Sequence, residues 1–304
     1  MPIALASFDS SLAQSRARIY ALIHGEELIH RRMQIGVGFG ARARSTQMMT
    51  ELQPSRSHAQ MKFKSRVARG KGQSVRVLAP GVATAADHGI FSPQTLKMDE
   101  IDKEKLFSEV LNGKRYEEFR AVMLFEFAKI SAEDGLVMQL HPGSYRNYDS
   151  EIFNNYGPDK GFDIPTATTF TSELRPLLNE VGKDSNFRMV LFTLDESAYS
   201  RELAPLAGVY PSLRLGPPWW FHDSLNGLKR WRDATIETAG FYNTVGFIDD
   251  TRAFCSIPAR HKIARKFDAN YLAEMVDSKL ISEKTAFELA PQLAYQLSKD
   301  FFRL

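Results

Sequence analysis

The chain has 304 residues, 43% hydrophobic and 25% charged, with a net charge of +3. That is ordinary globular composition, with enough apolar content for one large core or two modest ones. No run approaches the roughly 18 consecutive apolar residues of a membrane span, and the opening MPIALASFDSSLAQ lacks the basic start and long apolar run of a secretory signal, so a cytoplasmic protein with no membrane partner is expected.

Charge is unevenly spread. Residues 1–78 hold 13 Lys and Arg against 4 Asp and Glu, whereas 79–304 hold 26 against 32. A basic arm can bind nucleic acid by displacing counterions from phosphates. This one has no zinc-ligand spacing and no aromatic ladder, so no nucleic-acid partner is expected. Residues 11–33 can form a helix around Leu12, Ile19, Leu22, Ile23 and Met33, but 34–78 show no sustained period and read as loop or disorder. The run Gly36-Val37-Gly38-Phe39-Gly40 resembles part of a phosphate loop, yet it lacks the final glycine spacing and a strand-helix context. The chain therefore divides into a basic, irregular segment 1–78 and a folded part 79–304.

From residue 81 short apolar runs alternate with helical patterns, punctuated by Gly and Pro, as in βα repetition. The first run, Val82 to Ala86, is a weak strand leading into Asp87-His88-Gly89. Tyr116 to Ser131 predicts a helix with Tyr116, Phe119, Met123, Phe127 and Ile130 on one face and Gly135 just past its end. Leu136 to Leu140 is the next strand. Thr171 caps a helix with Leu174, Leu177, Leu178 and Val181 on its apolar face, closed by Gly182, and Met189 to Leu194 is a buried strand. A helix through Tyr199, Leu203 and Leu206 ends at Gly208, and Leu213 to Leu215 is a short strand. Ser224 caps a helix ending near Gly240, Thr244 to Ile248 is the last strand, and helices fill roughly Asp268 to Leu304. Five strands separated by helices argue for a parallel sheet with right-handed crossovers, either a closed barrel or an open sheet.

Each expected strand runs into polar residues: Asp87 and His88, then His141, then Asp195 and Glu196, then Trp219 and Trp220, then Asp250 and Arg252. In parallel β/α folds that edge carries the site, because its loops converge. A single strand-end histidine is more often structural, and a lone Asp-Arg pair is usually an ordinary ion pair; the recurrence carries the argument. The one cysteine, Cys255, excludes an internal disulfide and reads as a small buried residue.

These ends sit in longer segments: Gln139-Leu-His-Pro-Gly-Ser-Tyr-Arg-Asn147, Leu191-Phe-Thr-Leu-Asp-Glu196, Ser200 to Gly208, Leu215-Gly-Pro-Pro-Trp-Trp-Phe-His-Asp-Ser224, Glu237 to Phe254 with Asp-Asp-Thr-Arg inside it, and Ser256-Ile-Pro-Ala-Arg-His261. Together they resemble uronate isomerases, also called glucuronate isomerases, over about residues 81–304. The resemblance implies a (β/α)8 TIM-like barrel of the metal-dependent hydrolase type, with strands 4–8 recognisable. It implies aldose-ketose isomerisation of hexuronates, D-glucuronate to D-fructuronate and D-galacturonate to D-tagaturonate, with a divalent metal ion, zinc first. It also admits a homo-oligomer. It assigns Asp250 as metal ligand and proton-transfer group, Arg252 to the substrate oxygens, His141 as a further catalytic residue, and Arg146 and His88 as substrate-binding residues.

Elementary chemistry agrees with that assignment. Such an isomerase must move a weakly acidic proton between adjacent carbons, so it needs a base and a group that stabilises an enediolate. A hexuronate carboxylate suits an arginine fork, for which Arg252, Arg146 and Arg201 are candidates. One of Trp219 and Trp220 forms an apolar wall for the sugar, aromatic pairs being equally at home in a core. His222 and His261 are weaker candidates.

The chain also departs from the family. A first strand with His-x-His normally helps hold the metal, but the seven histidines here are His24, His30, His58, His88, His141, His222 and His261, no two separated by one residue. Ile248 and Ala86 stand where Asn and Ser or Thr are usual. The departure is read as a partial family member whose start is replaced by unrelated sequence. The alternatives are a piece supplied by another chain and a first segment of unread fold. The functional alternatives are a non-catalytic remnant or interaction protein and, more weakly, a hydrolase of the same superfamily.

Overall fold

The computed structural model describes residues 84–249 and 254–304. The expectations for residues 1–78, and those for Asp250 and Arg252, lie outside the described residues. The strands are β1 (Ala85–Gly89), β2 (Val137–His141), β3 (Ser144–Tyr145), β4 (Ile164–Pro165), β5 (Met189–Leu191) and β6 (Leu213–Leu215). Four of them form one sheet in the order β1-β2-β5-β6, every pair parallel, and β3 and β4 form a small antiparallel hairpin.

Helices occupy the crossovers, as parallel pairing requires. α1 (Lys103–Leu111) and α2 (Tyr116–Asp134) lie between β1 and β2, and α3 (Ser150–Tyr156) lies inside the hairpin. α4 (Arg175–Val181) leads to β5, α5 (Ala204–Val209) to β6, and α6 (Leu225–Ala239) follows it. Local chemistry sets several ends. The Asp102 carboxylate accepts from the Lys105 amide at the start of α1, and Ser224 Oγ from the Gly227 amide at the start of α6. Gly135 closes α2 in a left-handed conformation, φ 74°.

Several expectations shift. β1 starts at Ala85 and takes in Asp87, His88 and Gly89, because pairing with β2 carries the ladder through polar residues. The buried face of α2 is Ala121, Leu124, Phe125, Ala128 and Ala132; Tyr116, Met123, Phe127 and Ile130 are only partly buried. Thr171 does not cap α4, which starts at Arg175 with Pro176 in its first turn; the Thr171 amide donates to Glu202 instead. The expected strand at Thr244 to Ile248 is reduced to one parallel bridge between Leu215 and Thr244. Gly246 explains this: its φ is +68°, and a Cβ there would lie 2.3 Å from the Leu293 carbonyl oxygen, so the backbone turns away from the sheet. α7 (Ile257–Asp277) begins well before Asp268, with Pro258 in its first turn, and is followed by α8 (Glu283–Pro291) and α9 (Leu297–Phe302).

Strand alternation gives the sheet two faces. On the helix face, Met138, Leu140, Met189, Leu191, Leu213 and Leu215 join one core with residues of α2 and α4. On the inner face, Ala85, Val137, Val190 and Phe192 cluster with Trp219, Val245, Phe301 and Phe302. Between α6 and α7, Arg232 and Asp268 form an ion pair at 2.7 Å with both side chains buried. The Arg232 guanidinium also lies 4.6 Å from the Trp231 ring centroid and 5.3 Å from that of Phe241.

Candidate active site

His141 ends β2 on the inner face. Its register partner on β1 is Gly89, where an added Cβ would meet nothing within 4 Å among the described residues, which leave the space beside the imidazole open. On its other side the ring stacks on Phe192, centroids 4.1 Å apart and planes 10° apart. Gly216 makes that stack possible: a Cβ there would lie 2.2 Å from the Phe192 ring. Trp219 meets the imidazole edge-on at 4.9 Å. The ring plane is thus set by packing from two sides.

Trp219 is buried and Trp220 half exposed, their rings 6.0 Å apart. Trp220 adopts φ +48°, a left-handed conformation that is costly for a bulky side chain. Arg146 lies over the Trp220 ring at 5.2 Å and its Nη1 donates to Asp163 Oδ2 at 3.2 Å. Asp163 is buried and also accepts from the Asn147 amide at 2.7 Å, which fixes the carboxylate that orients Arg146. His141, Trp219, Trp220 and Arg146 therefore form one connected set.

His88 is not part of that set. Its register partner is Leu140, so it faces the helices, where its ring lies 5.4 Å from Phe127 of α2. It is buried, its Nε2 has no hydrogen-bond partner among the described residues, and burial lowers its pKa to about 4. Asp87, one residue earlier, faces inward and accepts from Gln139 Nε2 at 2.5 Å.

The other strand-end polar residues hold loops together. Burial opposes the charge of Asp195, but hydrogen bonds from the Ser197 hydroxyl and from the Thr168 and Ser197 amides outweigh it and keep its pKa below the usual carboxylate range. Glu196 pairs with Arg230 at 2.7 Å and with His222 Nδ1 at 3.1 Å, and His222 Nε2 lies 2.7 Å from the Leu194 carbonyl oxygen. Arg201 is turned to Glu202 at 2.8 Å. His261 is buried, edge-on to Phe247 at 4.9 Å. Cys255 is exposed, contrary to expectation, because it sits in the surface turn just before α7.

Asp249, next to Asp250, is described: its Oδ1 accepts from Arg260 Nε at 2.5 Å, and Arg260 Nη2 donates to Asp223. Phe192, Gly216, Asp163 and Arg260 are the residues that sequence reasoning did not single out. Phe192 carried a signal as the continuation of β5 with the inward parity of Val190, and Gly216 and Arg260 lie, like Phe192, inside the segments of the resemblance; Asp163 carried none. Among the described residues no group of three or more His, Cys, Asp or Glu could hold a metal ion, so they do not by themselves fit a divalent cation.

A family model described as glucuronate isomerase matches residues 73–302. The uronate isomerase of Rhizobium meliloti (strain 1021) is 54% identical over 226 residues, covering 73% of this chain and 48% of that protein. That of Mesorhizobium japonicum is 53% identical with the same coverage. Among solved structures, glucuronate isomerase from Caulobacter crescentus is similar at a TM-score of 0.72 and 47% identity, covering 82% of this chain and 51% of that one. Uronate isomerase from Thermotoga maritima follows at 0.66 and 30% identity, covering 72% and 49%. The chain spans about half the length of the curated relatives it matches.

Proposed function

The chain belongs to the glucuronate isomerase family, and from that premise we propose that the protein acts in the aldose-ketose isomerisation of hexuronates, this chain supplying one sector of the barrel and its strand-end residues. The observation that carries the reading is the connected set at the sheet edge: His141 held between Phe192 and Trp219, with Arg146 over Trp220. The match from residue 73 supports a division of the chain near residue 79.

Isomerisation asks for three things, and each has a candidate. Arg146, with its planar fork, binds the substrate carboxylate, and Asp163 fixes its direction beforehand. His141, its ring plane set by packing, exchanges a proton with a sugar oxygen beside the open space at Gly89. Asp250 takes the proton from carbon and returns it to the neighbouring carbon, while Arg252 stabilises the enediolate oxygen. Trp219 and Trp220 line one side and exclude water. A divalent cation, zinc first, belongs to the same proposal, with Asp250 as one ligand. His88, on the helix face, supports the sheet here rather than touching substrate. The reading places the protein in the cytoplasm and admits a homo-oligomer. Among the described residues no helix is long and apolar enough to cross a membrane.

The test is an assay of the purified chain with a divalent cation against D-glucuronate and D-galacturonate, alone and mixed with the part of the Rhizobium meliloti enzyme that this chain does not match. Interconversion with the matching ketose is expected at least in the mixture, and Asp250→Asn should abolish it. Folded components inert toward both sugars would reject the reading. They would favour the second one, a non-catalytic remnant or interaction protein.

A further inference from the structure

Two loops that bear candidate site residues leave the sheet edge at different places. One follows β6 and carries Trp219 and Trp220; the other follows the Thr244 bridge and leads to Asp250 and Arg252. The described part of each is held by the same side chain. From the first turn of α7, Arg260 donates from Nε to Asp249 Oδ1 at 2.5 Å and from Nη2 to Asp223 Oδ2.

The chemistry of that contact is directional. A guanidinium presents donors on two edges of one rigid plane, so it fixes the separation and the angle between two carboxylates, which an ammonium cannot do. The Asp249 side chain is 2% exposed, so water does not replace the bond readily. Arg260 itself stands on a helix anchored deeper down by the buried Asp268–Arg232 pair. Asp223 directly follows His222, whose two ring nitrogens reach Leu194 O and Glu196, so the tie continues to the loop after β5.

We propose that Arg260 is a positioning residue that sets the spacing between the loop leading to Asp250 and Arg252 and the loop of Trp219 and Trp220. Its catalytic meaning rests on the isomerase reading, whereas the contact exists in the chain as it stands. Arg260 stands in the sequence only inside the segment Ser256-Ile-Pro-Ala-Arg-His261, a full loop beyond the strand ends, and among the described residues it touches no candidate catalytic group.

The experiment uses the full chain with Arg260→Lys, Arg260→Met and Asp223→Asn, and Lys284→Met as a surface-charge control. Amide hydrogen exchange is followed at 219–223 and 244–249 together with thermal unfolding. Arg260→Met should speed exchange in both segments about tenfold, as expected for local opening after a shielded polar contact is lost, and leave the rest of the chain unchanged. Asp223→Asn should act on 219–223 alone, and Arg260→Lys should restore part of the protection. In an active preparation, alone or complemented, Arg260→Met should lower kcat about tenfold and leave KM within about threefold, the signature of a group felt in the transition state. Unchanged exchange in both segments overturns the proposal. So does faster exchange throughout with a collapsed Tm, which would make Arg260 a general scaffold residue, and so does local loosening with kcat intact. Absence of turnover in every wild-type preparation rejects the isomerase reading, and the spacing role is then decided by the exchange pattern alone.

Discussion

At the scale of single residues, strand parity decides what each side chain can do. Asp87 and His88 are adjacent, yet one faces the inner cluster and the other the helices. Sequence makes both visible and cannot choose between them, because shifting a strand boundary by one residue exchanges the two faces. His88 makes a testable contribution to stability. Its folded pKa, lowered to about 4 by burial, lies below the ordinary histidine value of 6.5, so the unfolded chain binds the proton first as pH falls. The contribution is complete above 6.5 and lost as pH falls from 6.5 towards 4, up to about 3 kcal/mol in all. Unfolding midpoints between pH 7 and 4 should therefore drop more steeply in the wild type than in His88→Phe. Gly216 offers a second check. Gly216→Ala should cost about 1–3 kcal/mol through collision with Phe192, measured by urea unfolding, and should shift the NMR resonances of the stacked His141 ring.

At the scale of elements, the helices and short buried strands of the matched region are legible because their signals are local: Ser224 before α6, Gly135 after α2, and the apolar run at Leu213–Leu215. What sequence missed depends on distant neighbours. Thr244 to Ile248 has strand composition, but the Leu293 carbonyl standing against Gly246 forces the turn that stops pairing. Gly246→Ala should accordingly cost about 1–3 kcal/mol in chemical denaturation from the left-handed backbone alone, with the contact adding to it. The packing of α6 on α7 gives a sharper result. Arg232→Met should destabilise the chain by about 3–5 kcal/mol by stranding the Asp268 carboxylate, whereas Arg232→Met with Asp268→Leu should lose much less. A double-mutant cycle in urea measures the difference. Equal losses for the single and double variants would mean that the pair carries no such penalty.

For the whole molecule, the segmental resemblance makes the family legible, and the sheet order agrees with a sector of its barrel. The convergence of His141, Trp219 and Trp220 is legible as a recurrence at strand ends and Arg146 through the resemblance, but not the aromatic stack that orients the histidine, since Phe192 meets His141, and Gly216 the Phe192 ring, only through sheet register. A metal measurement belongs at this scale. After loading with zinc and dialysis, the chain alone should retain well under one ion, because a stable site needs about three protein ligands and the described residues bring no such group together. One tightly held ion per chain would show that the site is completed from outside the described residues. The rim itself has a further property. Thr168 with Asp195, Glu196 with His222, and Asp223 with Arg260 and Asp249 hold successive loops by polar contacts, several of them partly solvated, above cores that are mainly apolar. Ionic strength therefore acts on the two with opposite sign: screening slackens the rim, while a strongly hydrated salt such as ammonium sulfate tightens the cores beneath it. A preparation can thus become harder to unfold and looser around its binding edge in the same buffer.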